Sequence, residues 1–376
     1  MNFLSPINED LVEYSNKLSN QTIGKKVLIH SHKHGFPNLT KVKFAFFTFS
    51  SNYSKNQNFV TENFRKFFYK LFYGNWDFAI ADIGVLQQGN KIEDSNAAIQ
   101  EIVSEMNQRN ILCLMIGGKK ELSYALYHGL KEKTQNINIT SIDSEFNFIN
   151  YDNLKELNFI SKIINETNNH LGNFSNIGYQ SFYVSQEEID LMNKLSFDYY
   201  RLGEITKDIQ EAEPVLRESD IVSVNLCSVK SSELNYDGNP NGFNSQQLCA
   251  LMRYAGLSYN LKILGLFNIP NTKSSCQLIA QIVWYIIDGS CYKLLETPKK
   301  KSNNFIKYMV TYQKNEIIFY KSKLSQRWWM QIPESFDNNN NNKEYSLLAC
   351  TEKDYRTAQV GQLPDRLLKS IKRSMH

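Results

Sequence analysis

The sequence lacks long apolar runs, closely spaced cysteine pairs and internal repeats. No stretch of its 376 residues reaches the roughly 18 apolar residues of a membrane helix. The opening MNFLSPINEDLVEYSNK has early acids and no apolar run, so we expect no signal peptide. Six scattered cysteines without CxxC spacing are typical of buried, reduced thiols. These absences predict a cytoplasmic globular protein without a membrane segment.

Net charge is also small, at +4, but it is unevenly distributed. Residues 296–376 contain 15 basic and 8 acidic side chains, so the remaining part of the chain is slightly acidic. A basic tail on an acidic body is the main electrostatic asymmetry of the sequence.

Short apolar runs alternate with longer amphipathic stretches over the first 295 residues. Near-continuous apolar strands separated by helices predict a mostly parallel sheet covered on both faces, a three-layer α/β/α fold. The predicted strands are KVKFAFFTF, WDFAIADIGV, NILCLMIGG, INITSID, SNIGYQ, DIVSVNLC and LKILGLFNIP.

Polar segments follow four of these strands directly, at residues 116–121, 143–147, 225–227 and 267–270. Ligands of parallel sheets bind beyond the carboxyl ends of the strands, so we expect the four segments to meet in one site.

Three regions are predicted: an N-terminal segment 1–40, an α/β domain 41–295 and a basic C-terminal extension 296–376. Within the extension, NFIKYMVTYQKNEIIFYKS indicates a hairpin, DNNNNNK a polar low-complexity loop, and the residues after Pro364 a terminal helix.

Five motifs make residues 41–287 resemble the ureohydrolases, the family of arginase, agmatinase and formimidoylglutamase. QRNILCLMIGGKKE is similar to the strand carrying Gly-Gly-Asp-His-Ser, INITSIDSEFNF to Asp-Ala-His-x-Asp, and SDIVSVNLC to Ser-Phe-Asp-x-Asp. LGLFNIP lies where the family has an acid before Asn-Pro, and SNIGYQSFYVS resembles a segment of the formimidoylglutamase branch. The resemblance implies the arginase-like fold and hydrolysis of C–N bonds in linear amidines or guanidines.

The resemblance also implies two bridged manganese ions, held by carboxylates and imidazoles. Carried over position by position, the six ligand positions are Lys120, Asp143, Glu145, Asn147, Asn225 and Cys227, and the substrate-binding acid becomes Phe267. Two carboxylates remain where the family has four, and Lys120 brings a positive charge into the pocket.

This charge count predicts loss of the manganese pair and no catalytic residue. Our first hypothesis is that Lys120 replaces the metal by pairing with Asp143 or Glu145. Two alternatives remain: Lys120 points to solvent, or a single weak divalent ion binds Asp143 and Glu145.

Other motifs favour structural roles. In HSHKHG an extended backbone would place His30, His32 and His34 on one face as zinc ligands, although a solvated loop is the favoured interpretation. Cys227 has no histidine placed to activate it, and the glycine pair of GGKKE is better explained by a tight turn than by a phosphate loop.

Trp328 and Trp329 in the extension indicate an anchor, either folded back on the domain or buried in an interface with a protein partner. Three functions therefore stay open: a metal-free binding or scaffold protein without hydrolase activity, a formimidoylglutamase-like hydrolase, and nucleic-acid binding through the basic tail.

Overall fold

The apolar runs form one ten-stranded sheet in the computed structural model, which describes residues 3–51, 57–146, 148, 158–298, 303–313, 315–332 and 346–374. The strands of this sheet are β1 Leu4–Ser5, β2 Leu28–Ile29, β3 Val42–Ser50, β4 Ala79–Gln87, β5 Leu112–Ile116, β6 Ile137–Ile142, β7 Leu171–Tyr179, β8 Asp198–Arg201, β9 Ile221–Asn225 and β10 Ile263–Phe267. Its order is β1-β4-β3-β5-β10-β9-β6-β7-β8, with β2 also paired to β4. Only β1 runs antiparallel to its neighbour.

Helices cover both faces of the sheet. They are α1 Glu9–Asn16, α2 Ile23–Lys26, α3 Gln57–Lys70, α4 Ile92–Gln108, α5 Ser123–Lys131, α6 Phe159–Ile164, α7 Gln186–Lys194, α8 Leu202–Lys207, α9 Glu213–Arg217, α10 Ser231–Leu234, α11 Ser245–Gly256 and α12 Lys273–Cys291. Short 3₁₀ turns lie at Lys120–Leu122, Ile209–Ala212 and Leu226–Ser228.

An apolar core lies between the sheet and each of the two helical layers. One core joins the sheet to α1–α3 and α8–α12, and the other joins its opposite face to α4–α7. Strands β5 and β10 are buried along their whole length because helices lie on both sides of them. The α/β/α prediction is therefore confirmed.

The N-terminal residues are part of the same sheet. β1 pairs with Leu86 and Val85 of β4, and β2 pairs with Ala81 and Asp82 of the same strand.

The C-terminal extension forms a second, antiparallel sheet. Its strands, in spatial order, are β11 Phe305–Tyr312, β12 Asn315–Ser322, β13 Trp328–Gln331 and β14 Leu347–Cys350, followed by α13 Glu352–Gln359 and α14 Asp365–Ser374. The hairpin and the terminal helix lie where the sequence predicts them. The Asn-rich segment lies outside the described residues.

Both tryptophans of the extension are buried within the chain, with 6% and 7% of their surfaces exposed. Trp328 packs against Tyr308 and Tyr355, whose rings also contact each other, and the Arg217 guanidinium of α9 lies 4.4 Å from the Trp329 ring. Of the two predicted anchoring modes, the structure has the one that folds back on the domain.

Acids of the α/β domain pair with several of the tail's basic residues. Arg373 contacts Asp198 at 3.0 Å, Arg366 contacts Glu211 at 3.3 Å, and Arg327 contacts Glu213 at 3.2 Å. The uneven charge seen in the sequence is thus used, at least in part, to dock the extension.

Candidate functional site

Four adjacent strands, β5, β10, β9 and β6, deliver the polar segments predicted from the sequence. Their registers are continuous: Leu266 pairs with Ile116 and with Val224, and Val224 pairs with Ile142. The residues that follow these strands therefore lie side by side at one edge of the sheet.

A glycine turn positions Lys120 at this edge. Gly117 and Gly118 have φ angles of +106° and +80°, which L-residues with a side chain rarely adopt. A Cβ on Gly117 would also lie 2.7 Å from the Phe49 carbonyl oxygen. The turn directs the chain from β5 into the 3₁₀ turn that begins at Lys120, as the glycine pair predicts.

The Lys120 ammonium lies between two carboxylates. Its Nζ is 2.8 Å from Glu145 Oε2 and 3.5 Å from Asp143 Oδ2. Burial opposes the charge on Lys120, but the two carboxylates outweigh burial and raise the pKa of its ammonium above the usual range. The ion pair expected from the sequence is present, and the alternative in which Lys120 points to solvent is wrong.

The second oxygen of Asp143 is also occupied, by an amide. Asn225 Nδ2 donates to Asp143 Oδ1 at 3.0 Å. The orientation of this amide follows from its other end, because Asn225 Oδ1 accepts from the Cys227 backbone N–H at 3.0 Å and a backbone N–H can only donate. Both oxygens of Asp143, which is 1% exposed, thus face N–H donors.

Cys227 lies at the periphery of this cluster. Its Sγ lies 3.7 Å from the Asn268 carbonyl oxygen and donates to it. Burial raises the pKa of the Cys227 thiol, so it is held as the weakly nucleophilic SH form.

Phe267, at the position of the family's substrate acid, is fully buried. Its ring packs over Gly265 in the core on the α4–α7 side. Asn147, the remaining predicted site position, lies outside the described residues.

The arrangement of these donors does not fit two bridged divalent ions. Lys120 and the Asn225 amino group occupy the directions from which a cation would approach Asp143, and neither nitrogen has a free lone pair for a metal. Among the described residues, no group of three or more His, Cys, Asp and Glu side chains is arranged to hold a metal.

The histidines of HSHKHG do not share one face. Residues 31–35 form a turn closed by pairing of Ser31 with Gly35, so the extended backbone assumed for that alternative is wrong. His30 is buried, with Nδ1 3.1 Å from the Ile83 carbonyl oxygen, while His32 and His34 are exposed. The solvated loop is thus correct for two of the three histidines, and His30 belongs to the core.

Two asparagines of the site were missed from the sequence. Asn268 donates to Asn225 Oδ1 at 3.2 Å, and Asn176 donates to the Glu145 carbonyl oxygen at 2.8 Å. Asn268 lies in the predicted segment 267–270, and Asn176 lies within the predicted strand SNIGYQ. Their amide side chains were overlooked because the family motifs direct attention to acids and histidines.

Comparison with known proteins supports the resemblance read from these motifs. Residues 56–227 match the model of the Arginase family. In a comparison with curated proteins, no sequence matched the chain. Solved structures match it at low identity over most of its length.

A formiminoglutamase from Trypanosoma cruzi with Mn²⁺ is 13% identical, with a TM-score of 0.59 over 68% of this chain and 96% of that one. A formimidoylglutamase from Bacillus subtilis is 15% identical, with a TM-score of 0.58 over 69% and 91%. An agmatine ureohydrolase from Thermoplasma volcanium is 14% identical, with a TM-score of 0.56 over 74% and 98%. The arginase-like fold and the resemblance to the ureohydrolase family are confirmed.

No helix in the described part of the chain combines the length and the apolar character needed to cross a membrane.

Proposed function

Because the chain has the arginase-like fold and an Arginase-family match over residues 56–227, we propose that it is a catalytically silent relative of the ureohydrolases, acting in the cytoplasm as a binding or scaffold protein. The observation that carries this proposal is the Lys120 ammonium, 2.8 Å from Glu145 and 3.5 Å from Asp143. By the sequence resemblance, Lys120 stands at a position where the family has a metal ligand, so its ammonium would take the place of a cation.

Electrostatics explains why the ammonium and a metal pair exclude each other. Two like unit charges 4 Å apart repel by about 4 kcal/mol at an effective dielectric constant near 20, and a divalent ion doubles this. The pocket offers Asp143 and Glu145 against that repulsion, and Asp143 is already bonded to Lys120 and Asn225. Two manganese ions would have to displace both donors with fewer carboxylates than the family uses.

The second candidate is a metal-dependent, formimidoylglutamase-like hydrolase of linear amidine C–N bonds. The Arginase-family match and the similarity to two formiminoglutamase structures favour it. It requires a divalent ion to replace Lys120 beside Asp143 and Glu145. A cysteine mechanism is not supported, because burial raises the pKa of the Cys227 thiol.

Nucleic-acid binding through the tail receives no comparable support. Arg327, Arg366 and Arg373 are paired with acids of the α/β domain. Trp328 and Trp329 are buried, so their rings do not provide a surface for base stacking. We expect retention on heparin no stronger than that of a neutral protein of this size, measured as the eluting salt concentration.

The deciding experiment measures manganese binding and turnover together. The purified protein is analysed for bound metal and titrated with Mn²⁺ by calorimetry. It is then assayed for release of formamide, urea or ammonia from formiminoglutamate, arginine and agmatine. We expect no stoichiometric manganese and no turnover. Two bound ions with manganese-dependent turnover would overturn the proposal in favour of the hydrolase.

A repaired variant is the matched control for that experiment. It combines Lys120→His, Glu145→His, Asn147→Asp, Asn225→Asp and Cys227→Asp. Because these substitutions restore carboxylates and imidazoles at the family's ligand positions, we expect the variant to take up Mn²⁺ where the natural chain does not. Uptake by the variant alone assigns the difference to these five side chains.

A further inference from the structure

Strand β11 leaves one long edge of the C-terminal sheet open. It pairs with β12 on one side, and no strand of the described chain lies on the other. At the opposite edge of this sheet, Glu218 Oε1 accepts from the Ala349 N–H of β14 at 2.7 Å. Within the described chain, the eight residues of β11 therefore form the longer open edge of this sheet, compared with four residues in β14.

The register identifies the groups that face outward. In an antiparallel pair the residues bonded to the partner strand alternate along the chain. Lys323 N donates to Asn304 O at 2.8 Å, in the same register as the β11–β12 pairing. Even-numbered residues thus bond to β12, and the N–H and C=O groups of Phe305, Lys307, Met309 and Thr311 point to the open edge.

This edge lacks the protection that natural proteins usually give an exposed strand. Its eight residues pair with β12 without a bulge, contain no proline and include one charge, Lys307. Apolar side chains are also exposed: 40% of Ile306 and 58% of Met309. Long, flat and apolar edges are sites where another strand adds.

We propose that a second copy of this chain pairs its β11 antiparallel to this edge, about a two-fold axis that passes beside Met309. Outward-facing residues must bond to outward-facing residues, which requires odd-numbered positions to stand opposite one another. Centring the pair on Met309 uses almost the whole strand. Lys307 then faces Thr311 of the second copy, and Phe305 faces Gln313 of the second copy.

The β11 edge is self-complementary, which favours a second copy of this chain as its partner. On the face carrying the odd-numbered residues, Met309 neighbours Ile318 within its own chain, so the two-fold axis joins two Ile–Met pairs into one apolar row. Thr311 neighbours the exposed Glu316. Lys307 therefore reaches across Thr311 of the second copy toward Glu316 of the second copy, and no like charges stand opposite each other.

The test is the molar mass of the full chain in solution, by sedimentation equilibrium. We expect a dimer for the natural protein and a monomer for Met309→Glu, which places two carboxylates opposite each other at the axis. Met309→Pro is a second variant, since it removes an N–H that only the second copy would use. Circular dichroism and thermal unfolding check that both variants keep the fold.

A charge exchange distinguishes self-pairing through this register from any other dimer. Lys307→Glu and Glu316→Lys should each weaken dimerisation roughly two- to fivefold, and the double variant should restore it. Lys353→Glu, the same charge change on α13, is the control and should have no effect. A monomeric natural protein would overturn the proposal, even if an unrelated extended peptide bound this edge. A dimer that persists in Met309→Glu and Met309→Pro would overturn it too, because the interface would lie elsewhere.

The predicted register gives an independent check by cross-linking. Residues directly opposite in a bonded antiparallel pair have Cα atoms about 5.5 Å apart, within disulfide range. With oxidised glutathione as the oxidant, Met309→Cys should form a covalent dimer, whereas Thr311→Cys and the natural protein should not. Equal cross-linking of both variants would contradict a strand pair centred on Met309.

Discussion

Two clusters beside the same sheet pair a cation with a carboxylate. They differ in how far their charged side chains are exposed to solvent. In the first, Arg65 of α3 binds Asp82 of β4 through two hydrogen bonds of 2.6 and 2.9 Å, and both side chains are wholly buried. In the second, the Lys120 side chain is 12% exposed and that of Glu145 39%. Pairing of charges is common to both, so pairing alone does not mark a binding site.

The surroundings of the two carboxylates explain the contrast. Asp82 also accepts from the Tyr69 hydroxyl at 2.6 Å and from the Gly84 N–H at 3.1 Å, and its cluster lies inside the core. The Lys120 cluster lies where four strands end, and it has two carboxylates for one ammonium. A partly exposed cluster at a sheet edge can take part in binding, whereas the wholly buried Arg65 pair holds the fold together.

The largest effect is expected from Arg65→Met. It leaves the Asp82 carboxylate buried without its cation, and breaking a buried pair in this way costs roughly 3–5 kcal/mol. The free energy of unfolding from urea titration measures this cost. The control is Arg109→Met, which removes an exposed pair with Glu105 and should cost less than about 0.5 kcal/mol. Equal losses would show that burial does not separate these pairs.

Lys120→Met should have an intermediate effect, about 1–3 kcal/mol, because its carboxylate partners are one buried and one partly exposed. The fold raises the pKa of Lys120 above its unfolded value of 10.5, so the stabilisation is complete below that pH and is lost as pH rises through the folded pKa. In the variant, Asp143 and Glu145 repel each other at neutral pH, and acid relieves this repulsion.

The measurement for Lys120→Met is therefore unfolding at pH 5, 7 and 10. We expect the difference from the natural protein to be about equally large at pH 7 and pH 10, both below the unfolded pKa of Lys120, and smaller at pH 5. Lys119→Met, at the exposed neighbouring lysine, should change stability little at any of the three values. A pH-independent difference would mean that Lys120 contributes by packing rather than by charge.

Local patterns predicted the strands and the edge where the site lies, because both depend on residues close together in sequence. β5, β9 and β10 are apolar runs that are buried throughout, and the segments after them meet as parallel topology requires. The Lys120 pairing followed from the same placement, since an ammonium beside two carboxylates at one edge has an evident partner.

What local patterns could not predict depends on contacts between distant residues. The orientation of the Asn225 amide is set by the Cys227 N–H and by Asn268, whose φ of +51° no motif indicates. Arg366 pairs with Glu211, 155 positions earlier in the chain. From the sequence alone, the basic tail therefore resembles a free nucleic-acid-binding surface. Its acidic partners are distant in sequence and become evident only in the fold.

The smallest effect is expected from Glu145→Gln, and it separates the inner carboxylate of the site from the outer one. The amide keeps an oxygen for Lys120 and the side chain is 39% exposed, so we expect a loss below about 1 kcal/mol. Asp143→Asn, matched in chemistry but 1% exposed, should cost more because its oxygens serve both Lys120 and Asn225. Urea midpoints at an unchanged slope measure both losses. Should Glu145→Gln cost as much as Asp143→Asn, both carboxylates would be structural, and the contrast with the Arg65 cluster would disappear.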